Sequence, residues 1–189
     1  MKKPAVALIA LLTLAAAPVQ AQDGSAYYGV SFGEFDYSES DDLIQDTVSS
    51  WRLMINYQFM EHLAVEGAYG QTGDIRSSFT VPTFPAGTVD LDLRAEFSRI
   101  LALRILGIIP FKSGLSLMGG LGYSQMKFEV DLTDGIDSIS VDEDQNNLGY
   151  YAGVQYDWER FAMRLGYEQF DFDADADASE TMLSFFYKL

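Results

Sequence analysis

Cysteine is absent from this chain of 189 residues, so no disulfide can staple the fold. Histidine is nearly absent too, His62 being the only one, and that leaves imidazole chemistry a single place to occur. Basic residues are scarce: 12 Lys and Arg stand against 28 Asp and Glu, for a formal charge of −16. Nucleic-acid binding is excluded on that ground, since attraction to phosphate needs clustered cations. Also missing, after the first 21 residues, is any apolar run near the roughly 20 residues that a membrane-spanning helix requires.

What the chain does contain begins with Lys2 and Lys3, an apolar run from Ala5 to Ala17, and Val19-Gln20-Ala21. A charged start, a hydrophobic middle and a small-residue site read as a cleavable export signal over residues 1–21, cut after Ala21. The run is too short to serve as a spanning anchor. Residues 22–189 then form one domain, and loss of Lys2 and Lys3 takes its charge to about −18.

The other end is equally informative. Thr181, Leu183, Phe185, Tyr187 and Leu189 alternate with Met182, Ser184, Phe186 and Lys188, the period of two expected of a strand with one apolar face. The same alternation predicts eight strands at 25–35, 48–59, 63–71, 90–106, 114–129, 147–158, 161–171 and 179–189. Trp51, Leu53, Ile55, Tyr57 and Phe59 form the outward face of the second, and Leu148, Tyr150, Ala152, Val154, Tyr156 and Trp158 that of the sixth. With 11 Tyr and 13 Phe, the chain is rich in residues that favour strands and membrane interfaces.

Short connections at 60–62, 107–113 and 159–160 alternate with longer polar segments at 36–47, 72–89, 130–146 and 172–178. That order is expected of an all-β, transmembrane, eight-stranded antiparallel up-and-down β-barrel, with short periplasmic turns, long external loops and both termini periplasmic. Two aromatic girdles follow from it. Tyr57, Phe59, Tyr156, Trp158 and Tyr187 fall near the periplasmic edge, with Tyr28 and Phe161, while Trp51 and Tyr150 fall near the external edge with Tyr69, Tyr123 and Tyr167. In the fourth strand, the phase that turns Leu91, Leu93, Phe97, Leu101, Leu103 and Ile105 outward also turns Arg99 toward lipid. Arg99 therefore either snorkels to the interface or lies beside a β-bulge within 97–100.

The export signal, the eight strands, Gly119-Gly120-Leu121-Gly122-Tyr123 and the terminal alternating strand resemble the small outer-membrane barrels typified by OmpA and OmpX. The resemblance spans residues 22–189 and implies a bacterial outer-membrane location. It also implies recognition of the last strand by the barrel assembly machinery, although Leu189 stands where that family usually has Phe. The longer members carry a peptidoglycan-binding domain that this chain does not continue into.

Arg52, Glu66, Arg94, Glu96, Arg104, Arg164 and Glu168 share the inward register, as do Glu180 and Lys188. A bore of eight strands is only wide enough for side chains to fill, so opposite charges there should pair. Inward glycines, among them Gly29, Gly70, Gly122, Gly153 and Gly166, either make room for Arg, Tyr151 and Phe186 or relieve the curvature of the sheet. Outside, acids gather at 34–46, 129–144 and 171–180. Asp171, Asp173, Asp175 and Asp177 hint at a divalent cation, but an EF-hand's Gly and terminal Glu are missing. A solubilising, mutually repulsive loop surface ranks first, and acidic loops that join cations crosslinking lipopolysaccharide rank behind it.

His62 stands in a short turn away from those acids, so no Ser-His-Asp or Cys-His set can be assembled at the loop end. The reading is a non-enzymatic outer-membrane barrel without cofactor, with a structural or surface-interaction role and a mostly plugged interior. Its partners are membrane lipid and lipopolysaccharide. A narrow channel for ions or small solutes is the alternative; a lipid A-modifying enzyme and a soluble lipocalin-like barrel rank behind.

Overall fold

The computed structural model describes residues 24–39, 45–83, 87–133, 138–171 and 176–189. They form nine strands: β1 Ser25–Glu39, β2 Gln45–Met60, β3 Leu63–Thr72, β4 Ile75–Thr83, β5 Gly87–Pro110, β6 Leu115–Thr133, β7 Ser138–Trp158, β8 Phe161–Asp171 and β9 Ala176–Lys188. All neighbours pair antiparallel. β1 bonds both β2 and β9, and β3 bonds β5, so the sheet closes. β3 and β4 are successive halves of one stave, broken at Gly73 and Asp74, because both pair with β5. The barrel therefore has eight staves.

Tight turns gather at one end. Glu61 with His62 and Glu159 with Arg160 join their strands in two residues, and Glu159 takes a left-handed backbone with φ 50°. The β5–β6 turn ends at Gly114, whose φ of 84° is a conformation in which a side chain would be strained. Ser25 and Lys188 lie at this same end, since Ser25 pairs with Gln58 and Lys188 with Tyr27.

At the opposite end the strands run further than the alternation predicts. Residues 75–83, 130–133 and 138–146, expected as loop, continue the ladder as β4, the end of β6 and the start of β7. Beyond lipid and core, neither sheet face must be apolar, so the period-two hydrophobic signal fades while backbone pairing continues.

β5 also changes phase. The β5–β6 register shifts between Phe97 and Arg99, leaving Ser98 as the extra residue of a β-bulge. Below it Ile100, Ala102 and Arg104 point inward; above it Ala95 and Phe97 do. Phe97, read from sequence as outward, is therefore interior, and Leu93 packs partly buried against the same cluster. Leu91 lies where side chains are outside the described residues. Arg99 itself keeps the outward parity of Leu101 and Leu103, and it is met there by Asp144 at 2.9 Å.

Because the chain has no cysteine, the phase can be read by single substitutions. Glu96→Cys is expected to react rapidly with a bulky water-soluble maleimide, and Phe97→Cys at least about tenfold more slowly. Labelling rates on the refolded barrel, followed by mass spectrometry, check this.

Candidate functional site

The bore is the place where this chain concentrates buried charge. Arg52 from β2, Glu66 from β3, Arg104 from β5, Arg164 and Glu168 from β8, and Glu180 from β9 are all buried. Their placement follows from register. Glu66 stands directly opposite Arg104 across β3 and β5, a favourable cross-strand pair. Glu168 stands opposite Glu180 across β8 and β9, a repulsive one. Arg52 relieves that repulsion, donating to Glu168 at 2.9 Å while forming an ion pair with Glu180.

Arg104 links the two halves. Its Nε donates to Glu168 at 2.7 Å, one terminal nitrogen donates to Glu66 at 2.7 Å, and the other bonds Glu168. Arg164 completes the set, donating to Glu66 at 2.5 Å and to Gln155 at 2.9 Å. Asn56 donates to Glu66 at 3.2 Å, and Ser50 to Glu180 at 2.5 Å. Three guanidinium groups thus face three carboxylates, with no net charge, in a space where an unpaired ion would carry a desolvation cost of several kcal/mol.

Small residues give these long side chains their room. A Cβ on Gly70 would meet the Arg52 side chain at 2.6 Å, and one on Gly122 would meet that of Arg104 at 3.1 Å. Gly153 and Gly166 open space for the Tyr151 ring, which lies 5.2 Å beneath the Arg104 guanidinium. Arg164 sits over Phe186 at 4.4 Å and Arg52 over Phe170 at 5.6 Å, placing each cation against a ring face.

Apolar layers lie on both sides of the charges. Toward the long-strand end, Phe35, Tyr37, Phe97, Ile100, Met126 and Phe170 form one buried cluster, with Phe35 and Phe97 5.0 Å apart. Toward the turn end, Tyr27, Met54, Ala162 and Phe186 form another. Lys188 lies over the Tyr27 ring at 5.7 Å.

Arg94 and Glu96 do not join the interior set. They lie above the bulge, where even-numbered residues of β5 face out, and Arg94 is 49% exposed. Arg94 bonds Asp74 at 2.8 Å and Glu96 at 3.1 Å, while Arg76 bonds Asp74 at 2.9 Å. Hydrogen bonds from Arg94 and Arg76 hold the Asp74 carboxyl well below the usual carboxylate range. Its hydrogen bond to Asp74 pushes Glu96 up. Lys127 bridges Glu129 at 2.7 Å and Asp142 at 3.2 Å.

Of the remaining sequence candidates, Asp171 and Asp177 face each other across β8 and β9, and Asp173 and Asp175 lie outside the described residues. Among the described residues no group of His, Asp and Glu has the arrangement of a metal site. His62 is a solvent-exposed turn residue with its Nδ1 3.1 Å from the Ile108 carbonyl. Tyr156, Trp158, Phe161 and Tyr187 form a run of ring contacts of 5.6–6.3 Å on the outer wall near the turns, where Phe59 is also exposed and Tyr57 is partly so. At the other end Trp51 and Tyr69 are in contact at 6.4 Å, and Tyr150 is exposed.

Two outcomes follow. Glu168→Ala strips a carboxylate from Arg52 and Arg104 together and is expected to cost about 3–5 kcal/mol of stability. Replacing Arg104 and Glu168 jointly by Leu should cost less than the two single losses combined, as urea unfolding of the lipid-embedded barrel would report. At the corner between β3 and β4, a depressed Asp74 carboxyl gives stability that is present above the unfolded pKa of about 3.9 and is lost as pH falls through the lower folded value. Acidification from pH 7 to about 4.5 should therefore leave the corner resistant to protease, whereas Asp74→Asn should open it at either pH.

Comparison with known proteins bears on the fold. No curated protein matches the chain. Among solved structures, Ail, the attachment invasion locus protein of Yersinia pestis, is 20% identical with a TM-score of 0.62, over 89% of this chain and 100% of that one. Neisserial surface protein A is 14% identical with a TM-score of 0.59, over 88% and 100%. OprG of Pseudomonas aeruginosa is 16% identical with a TM-score of 0.55, over 88% and 95%. At these identities the likeness establishes the fold alone. The family model for the outer membrane protein β-barrel domain matches residues 6–188, so the chain belongs to that family and its place is the Gram-negative outer membrane.

Proposed function

We propose that this protein is a non-conducting, non-enzymatic outer-membrane barrel with a plugged bore, whose role is structural or lies in contacts made by its outer end. The observation that carries the reading is the neutral set of three Arg and three Glu across the bore, shut between apolar clusters. A path for ions would have to break charge pairs whose side chains are buried from solvent.

The wall supports a membrane role. Leu121, Leu148, Ile105 and Leu165 are 58–73% exposed on the outer surface, an apolar band suited to hydrocarbon. Aromatic residues at both ends, Trp51 and Tyr150 at one and Tyr57, Phe59, Tyr156, Trp158 and Tyr187 at the other, then form the interfacial girdles. In this reading residues 1–21 are removed on export, the termini and tight turns face the periplasm, and the terminal strand serves assembly.

The outer end favours partners that carry positive charge, including divalent cations that in turn hold lipid phosphate. Ail has been solved with sucrose octasulfate, a heparin analogue and a polyanion. Here Arg76, Arg94, Arg99 and Lys127 are each already bridged to a carboxylate, and Asp36, Asp171 and Asp177 lie exposed at the same end on β1, β8 and β9. Lipopolysaccharide joined through divalent cations fits this surface better than a free polyanion.

Planar-bilayer recording on the refolded chain tests the closed bore. Silence is expected; reproducible current steps, altered by Glu168→Gln, would move the narrow-channel reading ahead. Orientation has its own test in whole cells, where a membrane-impermeant maleimide should label Glu143→Cys and spare Lys112→Cys.

A further inference from the structure

The aromatic girdle near the tight turns covers β7, β8 and β9 with Tyr156, Trp158, Phe161 and Tyr187, and β1 and β2 with Tyr28 and Phe59. On β5 and β6 it gives way to Ile109 and Leu117, beside a groove of about 420 Å³ in the outer wall. The floor of the groove is Gly107 and Gly119, which stand directly opposite each other across the two strands. That volume falls in the range of roughly 300–1,000 Å³ usual for small-molecule sites.

The backbone does not require glycine at either position. Neither has the positive φ of Gly114. A Cβ on Gly107 would meet only the Gly119 carbonyl oxygen at 3.5 Å, and one on Gly119 only that of Tyr151 at 3.8 Å, both ordinary contacts. The inward-facing Gly70 and Gly120 differ, because a Cβ there would run into the carbonyl oxygens of Trp51 and Ile105. Packing therefore accounts for the inward glycines and not for these two, which hold open a hollow between Ile109 and Leu117, themselves 61% and 43% exposed.

The rim of the groove carries charge of both signs. His62 forms one wall, its Nδ1 3.1 Å from the Ile108 carbonyl oxygen, and the exposed Glu61 carboxylate stands 3.9 Å from its Nε2. Lys112 is exposed in the β5–β6 turn, just beyond Ile109 and Pro110. Gly107 lies inside the end of β5 at Pro110 by roughly 10 Å at the usual rise per residue. An apolar hollow at hydrocarbon depth thus leads up to an anion on one turn and a cation on the next.

The geometry points to this groove as a binding site for a zwitterionic glycerophospholipid whose headgroup ends in a primary amine. One acyl chain lies on Gly107 and Gly119 between Ile109 and Leu117. The phosphate meets Lys112, and the ammonium donates to the Glu61 carboxylate. A headgroup that ends in an alcohol gives Glu61 no cation, and a quaternary ammonium gives it no N–H donor. The inference rests on the reading that the tight turns lie at the periplasmic membrane surface; the purified barrel tests the groove itself, and the whole-cell labelling above tests the orientation separately.

The refolded chain is placed in nanodiscs of phosphatidylcholine that hold phosphatidylethanolamine or phosphatidylglycerol as minor lipid, all with the same acyl chains. Native mass spectrometry then counts the lipid that stays with the barrel on release. One phosphatidylethanolamine per barrel is expected, retained at least about tenfold over either competitor. Glu61→Gln should remove that preference while a lipid is still retained, and Gly119→Leu, which fills the groove, should abolish retention of all three. Heat-modifiable gel mobility reports folding; if Gly119→Leu does not fold, Gly107→Leu takes its place, and Glu61→Gln in its exposed turn still tests the headgroup. Equal retention of the three lipids, a preference for phosphatidylglycerol, a preference that survives Glu61→Gln, or retention unchanged in Gly119→Leu overturns the proposal. So does a barrel dimer that Gly119→Leu abolishes, which assigns the groove to a second copy of the chain.

Discussion

A backbone crossing hydrocarbon has no water to bond, so every amide and carbonyl within the membrane must find its partner inside the protein. Closure of the sheet is the condition on which the remaining features depend. It is met by β1 joining β9 and β3 joining β5. Once closed at eight staves, the bore has a fixed, narrow width, and whatever faces inward must fill it. Lipid outside and confinement inside thus impose opposite demands on successive residues of the same strand.

The interior answers the second demand with ions rather than with aliphatic packing alone. Register places like charges opposite each other at Glu168 and Glu180, and opposite charges at Glu66 and Arg104. Neither pair is self-sufficient, because Arg104 also serves Glu168 and Arg52 serves both Glu168 and Glu180. The set is therefore paired as a unit that ties five strands together across the bore, not as a sum of neighbours. Gly70 and Gly122 belong to the same solution, since they leave space beside the arginine stems.

Much of this was legible in the sequence because period two holds wherever lipid lies on one side and the bore on the other. The eight staves, the tight turns and the inward phase of Arg52, Glu66, Arg104, Arg164, Glu168 and Glu180 all come from that alternation. Arg94 and Glu96 were misplaced for the same reason: parity carries through a strand only until an extra residue interrupts it. The extra residue is Ser98, and it turns Ala95 and Phe97 inward while leaving Arg99 in the outward row. The outer ladder carries no strand alternation because water on both faces removes the hydrophobic contrast that marks a strand. Nothing in single residues announced which glycine served which arginine, since that depends on neighbours brought together by register.

The bulge has a further consequence for how the molecule is divided. Below Ser98 the even-numbered residues of β5 face the bore; above it the odd-numbered ones do, Ala95 and Phe97 among them. One residue therefore acts as a seam between two sequences with different rules. The membrane-embedded half cannot gain or lose a residue without turning its apolar face into the bore. Just above the seam the new parity is fixed as firmly, because Ala95 and Phe97 pack into the same cluster as Ile100 and Met126 below it.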